Sequence, residues 1–130
     1  MSEEKRIVKS YEEEMQSLND DLVKMGSLTE SQLSDTIQAI VKIDKEAAEN
    51  IVKNDAQINE LRAKIDDQIS TVLVKRAPMA IDLRTTISSL KISHDLERIG
   101  DLAKSVAKKI EPLPIDLPQE LIGSLKRLGE

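Results

Sequence analysis

Between Ser2 and Arg76 the chain carries no proline and a single glycine, Gly26. A stretch that long without punctuation can order itself only through a regular pattern, and the pattern present is helical. Apolar residues recur as Tyr11, Met15, Leu18, Leu22 and Met25, then Leu33, Ile37, Ile40 and Ile43. Steps of three and four are the period of one helix face. A rival reading breaks the helix at Gly26 and starts another on the Thr29/Gln32 capping box. One long helix is preferred, because the row keeps its phase across a glycine that costs only about 1 kcal/mol relative to alanine.

Asp44 suits the N-cap of a second helix, where a carboxylate meets orphan amides and the positive end of the helix dipole. Its apolar row is Ala47 or Ala48, Ile51, Ile58, Leu61, Ile65, Ile69 and Val72, and Ala77-Pro78 closes it. Pro78 then fits the first turn of a third helix, which runs to about Ile110 and stops at Glu111-Pro112-Leu113-Pro114. Three long helices on short turns pack up-down-up. The fold class expected is all-α, an antiparallel three-helix bundle with the start of a fourth helix.

That fourth start lies after Pro118, where Asp116-Leu117-Pro118-Gln119 has the form of a helix cap. The segments Leu18-Asn19-Asp20-Asp21-Leu22-Val23-Lys24-Met25-Gly26 and Leu121-Ile122-Gly123-Ser124-Leu125-Lys126-Arg127-Leu128-Gly129 share the spacing Leu-x3-Leu-x2-(Met or Leu)-Gly. The pattern suggests a repeat beginning again. The expected division is residues 1–111 as one bundle, 112–118 as a proline-rich linker, and 119–130 as the start of a second, truncated repeat.

The third helix carries two rows. Ile81, Thr85, Ser88, Ile92, Leu96, Ile99, Ala103, Val106 and Ile110 read as the core seam, at about 100° per residue. Leu83, Ile87, Leu90, His94, Glu97 and Asp101 form a second line that begins apolar and turns acidic. Its apolar part needs cover, and its acidic part needs water, a cation or a basic partner. Glu97 and Asp101 stand one turn apart, so their carboxylates share a face, with His94 a turn earlier. A solvated acidic pair relieved by Arg98 or Lys104 is one reading, and a half-exposed His94 bonded to a neighbour goes with it. A cation site is the other. Oxygen ligands would favour Mg, Mn, Ca or Fe, and a facing helix would have to add Asp55, Glu60, Asp66 or Asp67.

Composition narrows the function classes. The net charge of −5 and a single aromatic residue, Tyr11, argue against nucleic acid, which needs clustered cations and stacking platforms. No cysteine is present and His94 is the one histidine, so thiol chemistry and a self-contained triad are excluded. The first residues lack the apolar stretch of a signal peptide, and no run such as Val72-Leu73-Val74 reaches membrane-spanning length. A cytoplasmic address follows as the expectation. No phosphate-cradling glycine loop, HExxH or paired Glu-x-x-His occurs, so an enzyme is not expected.

Pro78-Met79-Ala80-Ile81-Asp82-Leu83-Arg84, followed by Leu96-Glu97-Arg98-Ile99-Gly100-Asp101 on the same helix, resembles the PhoU family. Met25-Gly26 and the trio Asp55, Ile58 and Leu61 extend the likeness over nearly the whole chain. The resemblance implies tandem three-helix repeats and a cytoplasmic negative regulator of the phosphate starvation response. Such a regulator couples the phosphate-transporter ATPase to a sensor histidine kinase and meets the membrane only through those partners. It also implies a Glu/Asp-x3-Asp motif, here Glu97 and Asp101, at which some members hold Fe, Zn or other divalent cations. With His94 and Asp55 these form the candidate metal set, for Fe, Mn, Mg or Zn. The alternative is a divalent-metal-binding or storage bundle without a signalling role. Self-association is expected through Leu83, Ile87 and Leu90, together with Leu121, Leu125 and Leu128.

Overall fold

A computed structural model describes residues 2–76 and 83–110, together with Pro112, Gly123, Arg127 and Leu128. Helix α1 spans Glu3–Lys42, α2 spans Lys45–Arg76 and α3 spans Leu83–Lys108. The described residues contain no strand. Ser2 caps α1 by accepting from the Lys5 amide at 3.3 Å, and Glu3 and Glu4 occupy its positively polarised first turn. Helix α1 runs unbroken through Gly26, as the phase of its apolar row requires.

Two residues turn the chain between α1 and α2. Ile43 adopts the left-handed conformation (φ 51°, ψ 46°), and its amide donates to the Ile40 carbonyl. Asp44 then caps α2, its Oδ1 accepting from the Ala47 amide at 3.0 Å. Left-handed backbone is costly for a β-branched side chain. Here the turn is held on both sides: the Asp44 amide closes on the Ala39 carbonyl at 2.9 Å, and Ile43 packs on the cluster of Ala39, Ala48, Ile51, Ala107 and Ile110.

Cross-helix pairs fix the directions. Glu14 meets Lys75, Ser17 meets Gln68, and Asp21 meets Lys64, so α1 and α2 are antiparallel. Arg62 meets Glu97 while Asp55 meets Lys104, so α2 and α3 are antiparallel as well. Helices α1 and α3 therefore run parallel. Gln32 stands level with Gly100, and Ala39 shares a cluster with Ala107. The bundle is up-down-up, and each helix touches both others.

The second helix buries the row read from the sequence: Ala48, Ile51, Ile58, Leu61, Ile65, Ile69 and Val72. The other two helices depart from their expected rows. On α3 the buried residues are Thr86, Ser89, Ser93, Gly100, Ala103 and Ala107, followed by Ile110 just past its end, whereas Ile92, Ile99 and Val106 are exposed. The seam is rotated by about 70° from the expected one. The reason is close approach: a Cβ on Gly100 would lie 3.3 Å from Ile58 Cδ1 and 3.5 Å from Asp55 Oδ1. Bulky branched residues cannot enter a contact that tight, so small side chains take it. Beyond Gly26, α1 buries Thr29, Gln32, Thr36 and Ala39, while Leu33 is exposed and Ile37 and Ile40 are half-buried. Met25 is fully buried and Met15 half-buried, as core filler should be; Met79 lies outside the described residues. The linker at 112–118 and the restart at 119–130 also lie outside them, apart from Pro112, Gly123, Arg127 and Leu128.

Candidate functional site

Two polar clusters stand on the helix surfaces that the sequence singles out, one inside the bundle and one at the α2–α3 seam. The inner one centres on Asp55, which interrupts the apolar row of α2 midway between Ile51 and Ile58 and is 1% exposed. A carboxylate taken out of water needs partners, and three are supplied. Gln32 Nε2 of α1 donates to Asp55 Oδ1 at 2.9 Å and also to the Gly100 carbonyl of α3 at 2.9 Å. Asn59 Nδ2 donates to Asp55 Oδ2 at 3.2 Å, and Lys104 Nζ stands 3.6 Å from the same oxygen. One side chain, Gln32, thereby touches all three helices at a single level.

The outer cluster centres on Arg62. Its Nη1 lies 2.9 Å from Glu97 Oε2 and 3.1 Å from Oε1, one nitrogen shared between both oxygens of the carboxylate. Arg62 Nε is 3.6 Å from Asp66 Oδ2, and His94 Nε2 lies 3.4 Å from Arg62 Nη2 and 3.6 Å from Asp66 Oδ1. Arg62 is 36% exposed in its side chain and Glu97 20%, so this is a seam ion pair, neither sealed nor fully solvated.

The four candidate ligands are thus distributed over three places. Glu97 is neutralised by Arg62, and His94 lies on the same cluster. Asp101 is exposed one turn on, and Asp55 is buried in the other cluster. Among the described residues no three His, Asp or Glu side chains gather into a group that could hold a metal ion. In this arrangement the residues do not fit a resident cation, because the best-placed carboxylate already has its positive partner from within the chain. Glu60, Asp66 and Asp67 do not complete the set.

Three participants escaped sequence reading: Gln32, Arg62 and Gly100 as an acceptor. Asp55 had a signal, since it falls on the missing beat of the α2 row. Gln32 had none beyond its place in a possible capping box.

The PhoU domain matches residues 22–110, a span that takes in parts of α1 and all of α2 and α3. The chain belongs to the PhoU family. It is 38% identical over 124 residues to a phosphate-specific transport system accessory protein PhoU homolog of Caulobacter vibrioides, covering 95% of this chain and 54% of that protein. PhoU homologs of the same description from Rhizobium meliloti and Clostridium acetobutylicum are each 32% identical. They cover 95% and 93% of this chain, and 53% and 56% of their own lengths. This PhoU-family chain spans about half the length of the relatives it matches. No solved structure gives a match. Within the PhoU frame, Gly100 and Glu97 of the Leu-Glu-Arg-Ile-Gly-Asp segment have separate tasks in this chain. The glycine admits α2 to close contact, and the glutamate ties α3 to Arg62.

Proposed function

We propose that this chain is a cytoplasmic regulatory adaptor of a phosphate transport system, acting by binding and not by catalysis. In this reading it restrains phosphate uptake and phosphate-starvation signalling by coupling the transporter ATPase to a sensor histidine kinase. The observation that carries it is the PhoU domain match over residues 22–110, joined to relatives described as phosphate-specific transport accessory proteins. The architecture supports an adaptor. Three of its interior polar groups, the Gln32 amide, the Asp55 carboxylate and the Gly100 carbonyl, are committed to each other, and its charged seam is closed by Arg62 and Glu97. Such a bundle offers rigid helix faces, the kind of surface on which partner proteins dock. No helix among the described residues is long and apolar enough to cross a membrane.

No step of this function is routed through a cation. The test is a pull-down with purified ATPase subunit and purified kinase domain. Retention of both on the immobilised chain is expected. Retention of neither, by a chain shown to be helical, overturns the adaptor reading.

A further inference from the structure

The α1–α2 seam carries the same kinds of residue twice in one register, and only one of the two sets closes it. In the closed half Gln68 Nε2 of α2 donates to Ser17 Oγ of α1 at 3.1 Å, and Lys64 Nζ lies 3.1 Å from Asp21 Oδ2. A step of about fourteen residues is close to four helical turns and returns to nearly the same flank. That step leads along α1 from Ser17 to Ser31 and from Asp21 to Asp35, and back along α2 from Gln68 to Asn54 and from Lys64 to Asn50. The antiparallel register therefore sets Ser31 opposite Asn54 and Asp35 opposite Asn50. Here the cross-helix bonds are missing: none of these four side chains has a hydrogen bond or ion pair among the described residues. The reason is reach. Asparagine ends one methylene short of glutamine and well short of lysine, so the half nearer the α1–α2 turn stays open.

The opening is a groove with polar walls over an apolar floor. Its wider part, about 230 Å³, has Asp35 and Gln38 on one wall and Asn50 and Asn54 on the other. A narrower part of about 110 Å³ shares Asp35, Ile51 and Asn54 with it and continues to Leu28 and Gln57. Ile51 and Ile58 form the buried floor. From Leu28 to Lys42 the groove follows α1 for about 21 Å, the length of about six residues of extended chain. Its charges limit the guest. The lining holds two carboxylates, Asp35 and Asp44, and one lysine, Lys42. Asp44 is engaged as the cap on the Ala47 amide. Lys42 stands two turns from Asp35 and makes no ion pair with it among the described residues. Lys45, Glu49 and Lys53 line a separate recess on the α3 side. Asp35 thus lacks the cation that Lys64 gives Asp21 in the closed half. The carboxamides beside it each offer a donor and an acceptor, the same two groups that a peptide main chain presents.

We propose that the open half of the α1–α2 seam binds an extended peptide segment of a partner protein, with a lysine or arginine at Asp35 and its main chain on the carboxamides of Gln38, Asn50 and Asn54. The guest makes the bonds that the closed half makes for itself. The net charge of −5 steers a basic segment towards the chain. Binding here involves neither the Arg62–Glu97 seam nor the regulation proposed above.

The probe is an array of immobilised hexapeptides of varied sequence, with arginine, citrulline or glutamate fixed at the third position, exposed to the labelled 130-residue chain. Citrulline keeps the shape of arginine without its charge. Arginine peptides are expected to retain the chain, and the best of them to bind about fivefold or more tightly than its citrulline counterpart. Asp35→Asn in the chain should remove that preference. Asp95→Asn, which takes the same charge from an exposed site on α3, should leave it intact. Asn50→Lys with Asn54→Gln copies the closed half into the open one, so helicity by circular dichroism should persist while the best peptide is no longer bound. In nitrogen-15 NMR spectra the side-chain amides of Asn50 and Asn54 should move as that peptide is added. Retention of no hexapeptide at millimolar concentration overturns the proposal. So does equal retention of arginine and glutamate peptides, a best peptide indifferent to both Asp35→Asn and the double variant, or spectral shifts confined to α3.

Discussion

Replacing Gln32 by leucine removes a side chain that donates to both α2 and α3. The volume hardly changes, so the effect isolates the polar contacts. Asp55 Oδ1 loses its 2.9 Å donor while remaining buried, and the Gly100 carbonyl loses its extra donor. A buried hydrogen bond to a charged group contributes about 1.5–3 kcal/mol. The Gly100 carbonyl sits within α3 and contributes less. The loss expected is about 2–3 kcal/mol, a fall in Tm of roughly 8–12 °C for a domain of this size. Urea melts followed by helix ellipticity measure it. The decisive comparison is Gln32→Leu with Asp55→Leu. Removing both partners leaves no unsatisfied carboxylate, since Asn59 and Lys104 can turn to solvent, and apolar replacement of a whole buried polar set is often neutral or stabilising. The double variant should therefore be more stable than Gln32→Leu alone. Additive losses, or a single-variant loss below about 0.5 kcal/mol, would refute the view that Gln32 exists to satisfy Asp55.

Four further outcomes follow from the same geometry. Gly100→Val should cost about 2–3 kcal/mol in urea melts, because its branched side chain enters a contact where even a Cβ lies 3.3 Å from Ile58. Thr29→Val should raise stability by up to about 1 kcal/mol in the same assay, since the buried Thr29 hydroxyl has no hydrogen-bond partner among the described residues. Asp44→Ala should cost about 1 kcal/mol through loss of the cap on the Ala47 amide. Millimolar Mn or Fe should leave the Tm of the native chain unmoved, because only a ligand of the folded state raises it. A clear rise that Glu97→Gln abolishes would show that a metal displaces Arg62.

The helices were legible because periodicity of three and four survives whatever lies opposite. The α2 row was read correctly because its apolar residues all point inward, with Asp55 as the one interruption. The α1 and α3 rows misled for a physical reason. Leu33, Ile37, Ile92, Ile99 and Val106 are periodic and apolar, and a rule that assigns such rows to the core has no means of separating an inner surface from an outer one. The true α3 seam of Thr86, Ser89, Ser93, Gly100, Ala103 and Ala107 is small and partly polar, so its signal in hydropathy is faint. The acidic pair Glu97 and Asp101 was visible as a spacing. Its neutralisation by Arg62 was not, because that partner lies 35 residues away and becomes a neighbour only when α2 and α3 pack.

The rate of ATP hydrolysis by the purified phosphate transporter, measured in lipid discs with and without added chain, bears most directly on the regulatory reading. A saturable fall in that rate as folded chain is added is the result anticipated. An unchanged rate at chain concentrations well above those of the transporter would contradict it.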